Sequence, residues 1–223
     1  MLSADRPSPP GFPWPDAARP LAVVAVNRSV ERQDGMSWRN PAEAEVVVAA
    51  VRRLLQVEGG VRAAGIGVIA FYRAQVDCIR RLLDRCEGCK EVECSTVDGF
   101  QGREKEVILL SCVRAQQGGG HANIGFLRDG RRLNVALTRA RRGLIVVCHP
   151  PTLRGGGNAG SRSQGGQGGR GSGAQGGGSK QASRAVTDGV RCLAELLKEV
   201  EEHRLVVDGN GVDDKSRAIF RAL

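Results

Sequence analysis

The chain has 223 residues, 31 of them glycine and seven cysteine, and 33 Lys and Arg against 24 Asp and Glu give it a formal charge of +9. That length supports one large or two small domains, and a Gly-rich tract from Gly155 to Ser183 takes a good part of it out of any core, leaving about one domain. No apolar run reaches the roughly 18 residues of a membrane helix, and Met1-Leu2-Ser3-Ala4-Asp5 has neither part of a signal peptide, so a soluble protein of the cytoplasm or nucleus is expected.

The positive charge is carried mostly by Arg, whose fork suits phosphate, and a polyanion partner fits it. An odd number of cysteines in an intracellular chain argues for reduced thiols. Cys86-x-x-Cys89, flanked by Cys78 and Cys94, raises a zinc reading, but no second tight pair completes a site, and a surface loop with incidental thiols is the simpler account. No metal site is assigned. Cys112 and Cys148 fall in apolar strands and read as small core residues.

Residues 1–20 are Pro-rich and read as an extended lead-in. Leu21–Val26 is a short strand. Asn40-Pro41-Ala42-Glu43 then opens a helix, with Asn as N-cap, Pro at the first helical position and Glu returning the capping hydrogen bond. Ala44, Val47, Val48, Val51, Leu54 and Leu55 share its apolar face, and Gly59-Gly60 ends it. Ile66–Phe71 is a fully apolar strand, and Ala74 to about Asp84 a second amphipathic helix.

Val92–Val97 and Glu106–Val113 are further strands, Asp129–Ala140 a helix and Leu144–Cys148 a strand. Strands alternating with helices, some apolar on both faces, predict an α/β fold with a mainly parallel sheet covered on both sides. The Gly/Ser/Gln/Arg tract cannot bury enough apolar surface to order itself. Beyond it Val190, Leu193, Leu196, Leu197 and Val200 renew helical spacing, and Arg204–Val207 reads as a strand. The domain is therefore expected over 21–208, interrupted by an insertion at 155–183, with 209–223 as a tail.

Two polar clusters abut these strands: Val97-Asp98-Gly99-Phe100-Gln101-Gly102-Arg103-Glu104-Lys105, and Arg131-Arg132-Leu133-Asn134-Val135-Ala136-Leu137-Thr138-Arg139-Ala140-Arg141. Such Gly- and Arg-bearing clusters at the edge of a parallel sheet suit an enzyme that handles a triphosphate. They resemble motifs V and VI of superfamily 1B helicases, in the Upf-like branch that holds the nonsense-mediated decay and senataxin group. The resemblance runs from about Ser37 to Pro150, and further toward Val207.

It implies the second of two RecA-like domains in an ATP-driven motor moving 5′ to 3′ on single-stranded RNA or DNA. The 223 residues contain no Gly-x4-Gly-Lys-Ser/Thr segment; Gly176-Gly177-Gly178-Ser179-Lys180 has the wrong order and lies in the low-complexity tract. No Asp-Glu pair ends an apolar strand, so ATP and Mg²⁺ would be held largely by an N-terminal RecA-like domain that these residues do not include. The chain alone is expected to be inactive and monomeric.

On the family pattern Arg139 is the arginine finger, one turn or so along the helix from Arg132. Gln101, Gly102 and Glu104 line the nucleotide, with Glu104 toward the ribose or the water and Mg²⁺ network. Tyr72 follows the Ile66–Phe71 strand where relatives show Pro-Tyr-x-x-Gln, which implies adenine stacking by Tyr72 and a nucleotide role for Gln75. Phe71 replaces the proline.

Arg132 and Asn134 would orient the loop between ATP and the strand. Ser95, Thr96 and Asp98 would touch the nucleic-acid backbone, or simply form a hydrogen-bonded turn. Cys148 stands where relatives often have glycine, which leaves the following turn open. A non-enzymatic nucleic-acid or protein adaptor is the alternative, and the presence of Gln101, Glu104 and Arg139 weighs against it.

Overall fold

A computed structural model describes residues 7–116, 124–155 and 206–208, together with Glu195 and Lys198, which are helical. In chain order it has β1 (Leu21–Ala25), β2 (Arg32–Asp34), β3 (Ser37–Arg39), α1 (Pro41–Gln56), β4 (Ile66–Ala70), α2 (Arg73–Leu83), β5 (Glu93–Thr96), β6 (Lys105–Ser111), α3 (Gly130–Leu137), β7 (Ala140–Cys148), α4 (Pro150–Gly155) and β8 (Val206–Asp208). The main sheet has the order β5-β4-β6-β7-β1-β8, and every pairing in it is parallel. This is the RecA-like α/β architecture.

The alternation of side chains along each strand divides the core in two. Val24, Val68, Leu109 and Val147 point to the face covered by α1 and α2, where Val47, Val51, Leu54 and Ile79 meet them. Val23, Ile69, Leu110 and Val146 point to the face covered by α3, against Leu133 and Ala136. Both faces being buried, the central strands need apolar residues at consecutive positions, which is how β4 and β6 read in sequence.

Two boundaries and one hairpin differ from the expectation. The third helix stops at Leu137, because the Thr138 hydroxyl donates to the Asn134 carbonyl at 2.8 Å and its amide bonds back to the same turn. β7 consequently begins at Ala140, and Arg139 lies between the two elements. The antiparallel hairpin of β2 and β3, with Gly35 at φ +59 in its turn, was not anticipated.

Cys86 and Cys89 are joined as a disulfide, which corrects the expectation of reduced thiols at that pair. The Cys89 amide bonds to the Cys86 carbonyl at 3.2 Å, and this turn brings the two Cα atoms to 5.4 Å, inside the range a disulfide spans. Among the described residues no group of three His, Cys, Asp or Glu is placed to hold a metal ion.

Residues 7–20 form turns and no helix or strand, yet Phe12 is buried in the α1-side core with its ring 4.9 Å from that of Trp14. Cys148 ends β7 fully buried, and the His149 ring accepts from the Thr152 amide to start α4. The strand read over Arg204–Val207 is β8, paired with β1. Gly155, the first residue of the insertion expected over 155–183, ends α4; the rest of that insertion, the apolar face of Val190 to Val200 and the tail lie outside the described residues. No described helix is long and apolar enough to cross a membrane.

Candidate nucleotide and nucleic-acid site

The register of the sheet sorts the candidate residues into two groups. Ala70 is level with both Thr96 and Ser111 at the carboxyl ends of β4, β5 and β6, whereas Lys105 is level with Ala140 at the amino ends of β6 and β7. From Glu104 to Ser111 the chain covers about 23 Å at roughly 3.3 Å per residue. The residues expected to share one nucleotide therefore fall at opposite edges: Gly102 and Glu104 at the amino edge, Tyr72, Gln75 and Arg132 at the carboxyl edge.

At the amino edge Glu104 accepts from Arg141 at 3.1 Å, and the Lys105 amide donates to the Arg139 carbonyl at 3.1 Å. That backbone bond fixes motif V to motif VI. Glu93 holds both Arg103 and Lys105. Its partial burial would raise its pKa, but hydrogen bonds from those two cations outweigh that and leave it below the usual carboxylate range.

Gln101 and Gly102 are exposed, and Gly102 has φ +77 with open space where a Cβ would stand. Its glycine is required by the left-handed backbone. A cleft of about 600 Å³ adjoins, lined by Arg62, Glu104, Lys105, Glu106, Arg141 and Arg142 among others.

Arg139 closes its own helix end, donating from Nε to the Val135 carbonyl and from Nη2 to the Thr138 hydroxyl, both at 3.0 Å. Among the described residues it has no carboxylate partner. Each capping bond runs from the charged guanidinium to a neutral oxygen, worth about 1.5–3 kcal/mol, and a phosphate would offer the same fork charged acceptors instead.

At the carboxyl edge Arg132 grips Asp98 with both arms, Nε to Oδ1 at 3.1 Å and Nη2 to Oδ2 at 2.9 Å. The turn after β5 is present as well: the Gly99 amide donates to the Thr96 hydroxyl, and the Phe100 amide to the Val97 carbonyl. Ser95 and Thr96 are half-buried beside it and Asp98 is exposed. Phe100, within motif V, is fully buried in the α3-side core.

Tyr72 and Gln75 offer no open surface to a nucleotide in this structure. The Tyr72 ring is 5% exposed and lies 5.1 Å from that of Phe126, and its hydroxyl accepts from Arg114 Nη1 and the Phe126 amide. Gln75 is fully buried. Its Oε1 accepts from the Asn40 amide at 2.8 Å, and its Nε2 donates to the Asn40 carbonyl and the Ser111 hydroxyl.

Several residues of this edge went unread in the sequence. Glu43 does not return a bond to the Asn40 backbone: its carboxyl accepts from the Ser111 hydroxyl at 2.7 Å, the Val113 amide at 2.8 Å and Asn40 Nδ2 at 3.3 Å. Burial pushes its pKa up to about 8 against those hydrogen bonds. Val113 sits at φ +69, a left-handed conformation that a β-branched residue rarely adopts.

The Glu43 and Asn40 side chains hold both backbone polar groups of Val113, since Asn40 Nδ2 also donates to the Val113 carbonyl. Next along, Arg114 is clamped by Glu31 at 2.8 and 2.9 Å and lies 4.7 Å over the Trp38 ring. Spacing gave no signal for these partners, which are far apart in sequence.

Residues 3–151 match the family described as "AAA domain". Over 124 residues the chain is 44% identical to "DNA-binding protein SMUBP-2" of Mus musculus, covering 56% of this chain and 12% of that protein. Over 148 residues it is 42% identical to "Regulator of nonsense transcripts 1 homolog" of Neurospora crassa, 64% of this chain and 13% of the relative, and equally so to the Arabidopsis thaliana homolog, 64% and 11%. The chain thus spans about an eighth of the length of the curated relatives it matches.

Proposed function

The chain belongs to the Upf-like superfamily 1B helicases, and we propose that it supplies the second RecA-like domain of an ATP-dependent motor that moves 5′ to 3′ on single-stranded RNA or DNA. The observation that carries this reading is the amino-edge cluster, where Glu104, Arg139 and Arg141 are held together through the Lys105 to Arg139 backbone bond. In the reading, an N-terminal RecA-like domain brings the P-loop and the Mg²⁺ ligands to this edge.

Arg139 then leaves the Val135 carbonyl for the γ-phosphate and neutralises charge that grows as the phosphoryl group departs, an effect of about 10³ to 10⁵ in rate. Glu104 takes the ribose or the water and Mg²⁺ network. The carboxyl edge, with Ser95, Thr96 and the Asp98–Arg132 pair, carries the strand, and closure of the two domains shifts its grip.

The test uses this chain fused behind the first RecA-like domain of a regulator of nonsense transcripts 1. Phosphate release is expected from the fusion, stimulated by single-stranded nucleic acid, and none from the chain alone. Arg139→Ala should lower turnover by at least about a hundredfold while nucleotide affinity changes little, because the finger acts on charge developed in the transition state. Near-normal turnover in Arg139→Ala, or robust hydrolysis by the chain alone, would overturn the reading.

A further inference from the structure

Among the described residues four large apolar side chains are exposed: Val30, Met36, Val57 and Phe126. Single exposed apolar residues are common and carry no message by themselves. Phe126 differs from the other three because its ring is fixed. It occupies a short 3-10 turn, Gly125–Arg128, whose neighbours Ile124 and Leu127 are both fully buried. With those two anchored in the core, the side chain between them must face outward.

Gly125 at φ +56 allows the turn to press against Tyr72, for a Cβ there would overlap the Tyr72 hydroxyl. That hydroxyl accepts from the Phe126 amide. The Phe126 ring lies 5.1 Å from the Tyr72 ring, the Arg132 guanidinium sits 5.0 Å from its centroid, and 47% of the residue is still open to solvent.

We propose that Phe126 is a base-stacking residue of the single-stranded nucleic-acid track, a role that no motif assigned to it. The inference rests on the reading above that the carboxyl edge carries the strand. Arg132 joins the two: its side chain touches Phe126 and grips Asp98, which follows Thr96 at the end of β5. Asp98 takes up much of the Arg132 charge, and Arg128 and Arg131, two and five residues after Phe126, add positive charge to the same segment.

An aromatic ring preorganised beside arginines is the arrangement by which single strands are held without base readout. A stacked base would gain from a ring that is already ordered, since little side-chain entropy remains to be lost.

The test is binding of fluorescein-labelled oligouridine, oligothymidine and a fully abasic strand to the whole 223-residue chain at low salt, read by anisotropy. Phe126→Ala should weaken both base-bearing strands roughly tenfold and leave the abasic strand within about twofold, while Phe126→Trp should keep or tighten binding. Equal loss on the two base-bearing strands is expected, because a ring stacks uracil and thymine alike. A strand carrying 5-iodouridine should photocross-link to the wild-type chain with the adduct at Phe126.

Unchanged affinity in Phe126→Ala, equal loss on the abasic strand, or an adduct elsewhere with none at Phe126 would overturn the assignment while the carboxyl-edge reading stands. A wild-type chain that binds none of the three strands would overturn that reading as well.

Discussion

Glu43→Gln separates a buried acid from the fold around it. A carboxyl whose pKa rises from its ordinary 4.5 to about 8 on folding binds more protons in the folded state throughout that window. The stability it contributes is therefore complete below about pH 4.5 and is lost as pH climbs through about 8. At about 1.4 kcal/mol per pH unit, the loss between about pH 6 and pH 9 comes to about 2.5 kcal/mol. With a urea slope of roughly 2 kcal/mol per molar, that is a fall of about 1 M in the unfolding midpoint.

His149 works the other way, because burial holds its imidazole below the usual 6.5 and its ionisation costs stability only on the acid side. Glu43→Gln retains His149, so the difference between the two proteins isolates the carboxyl. Glutamine mimics the protonated carboxyl that the wild type carries near pH 6, so the two proteins should be similarly stable there and the variant the more stable near pH 9. Urea melts of both at four or more pH values decide it. Parallel curves across the range would show that Glu43 does not change its protonation where its burial requires.

Gly125→Ala should destabilise by about 1 to 3 kcal/mol, since it adds a Cβ at a left-handed φ and against the Tyr72 hydroxyl. Combining it with Tyr72→Phe should recover part of that loss in a double-mutant cycle, and strict additivity would mean the clash is not the cause. Ending the chain at Ser183 removes β8 from β1 and should lower the melting temperature. Deleting 156–183 and bridging the gap with a short flexible linker should not, because loop entropy changes by only about 0.6 kcal/mol per doubling of length. Equal melts for the truncated and full chains would show that nothing after Ser183 supports the sheet.

The strands of the main sheet were legible because both faces are buried: Ile66–Ala70 is apolar throughout and Val107–Leu110 forms an unbroken apolar run inside Lys105–Ser111, a pattern that an amphipathic helix does not show. The start of α1 was legible because Asn40 and Pro41 each have one good place in a helix. The β2–β3 hairpin turns at Gly35-Met36 between the paired Asp34 and Ser37, a glycine-first turn, but its flanks are polar, so the alternation that marks a strand is weak.

Glu43 shows where local reading fails, since Asn-Pro-Ala-Glu looks the same whether the acid bonds to the cap or to Ser111 and Val113 across the sheet. The Glu31–Arg114 clamp and the Tyr72–Phe126 pair join residues 83 and 54 positions apart. Such pairs are set by the topology and leave no periodic trace.

The separation of the candidate residues between two sheet edges gives α3 its place in the proposed motor. Asp129 caps its first turn by accepting from the Arg131 and Arg132 amides, and Thr138 closes its last. Leu133 and Ala136, both fully buried, pin it to the sheet between those caps. Arg132, with its grip on Asp98, stands at one end, and Arg139, bonded through its carbonyl to Lys105, stands just past the other. At 1.5 Å per residue the two are about 10 Å apart.

A short helix capped at both ends and packed along one side moves as a unit, because bending it would break bonds at a cap or open a void against the sheet. A change that draws Arg139 toward a phosphate must therefore be absorbed by the Lys105 to Arg139 bond or passed on to the Asp98–Arg132 pair. The edge assigned to ATP and the edge assigned to the strand are joined by a single eight-residue element.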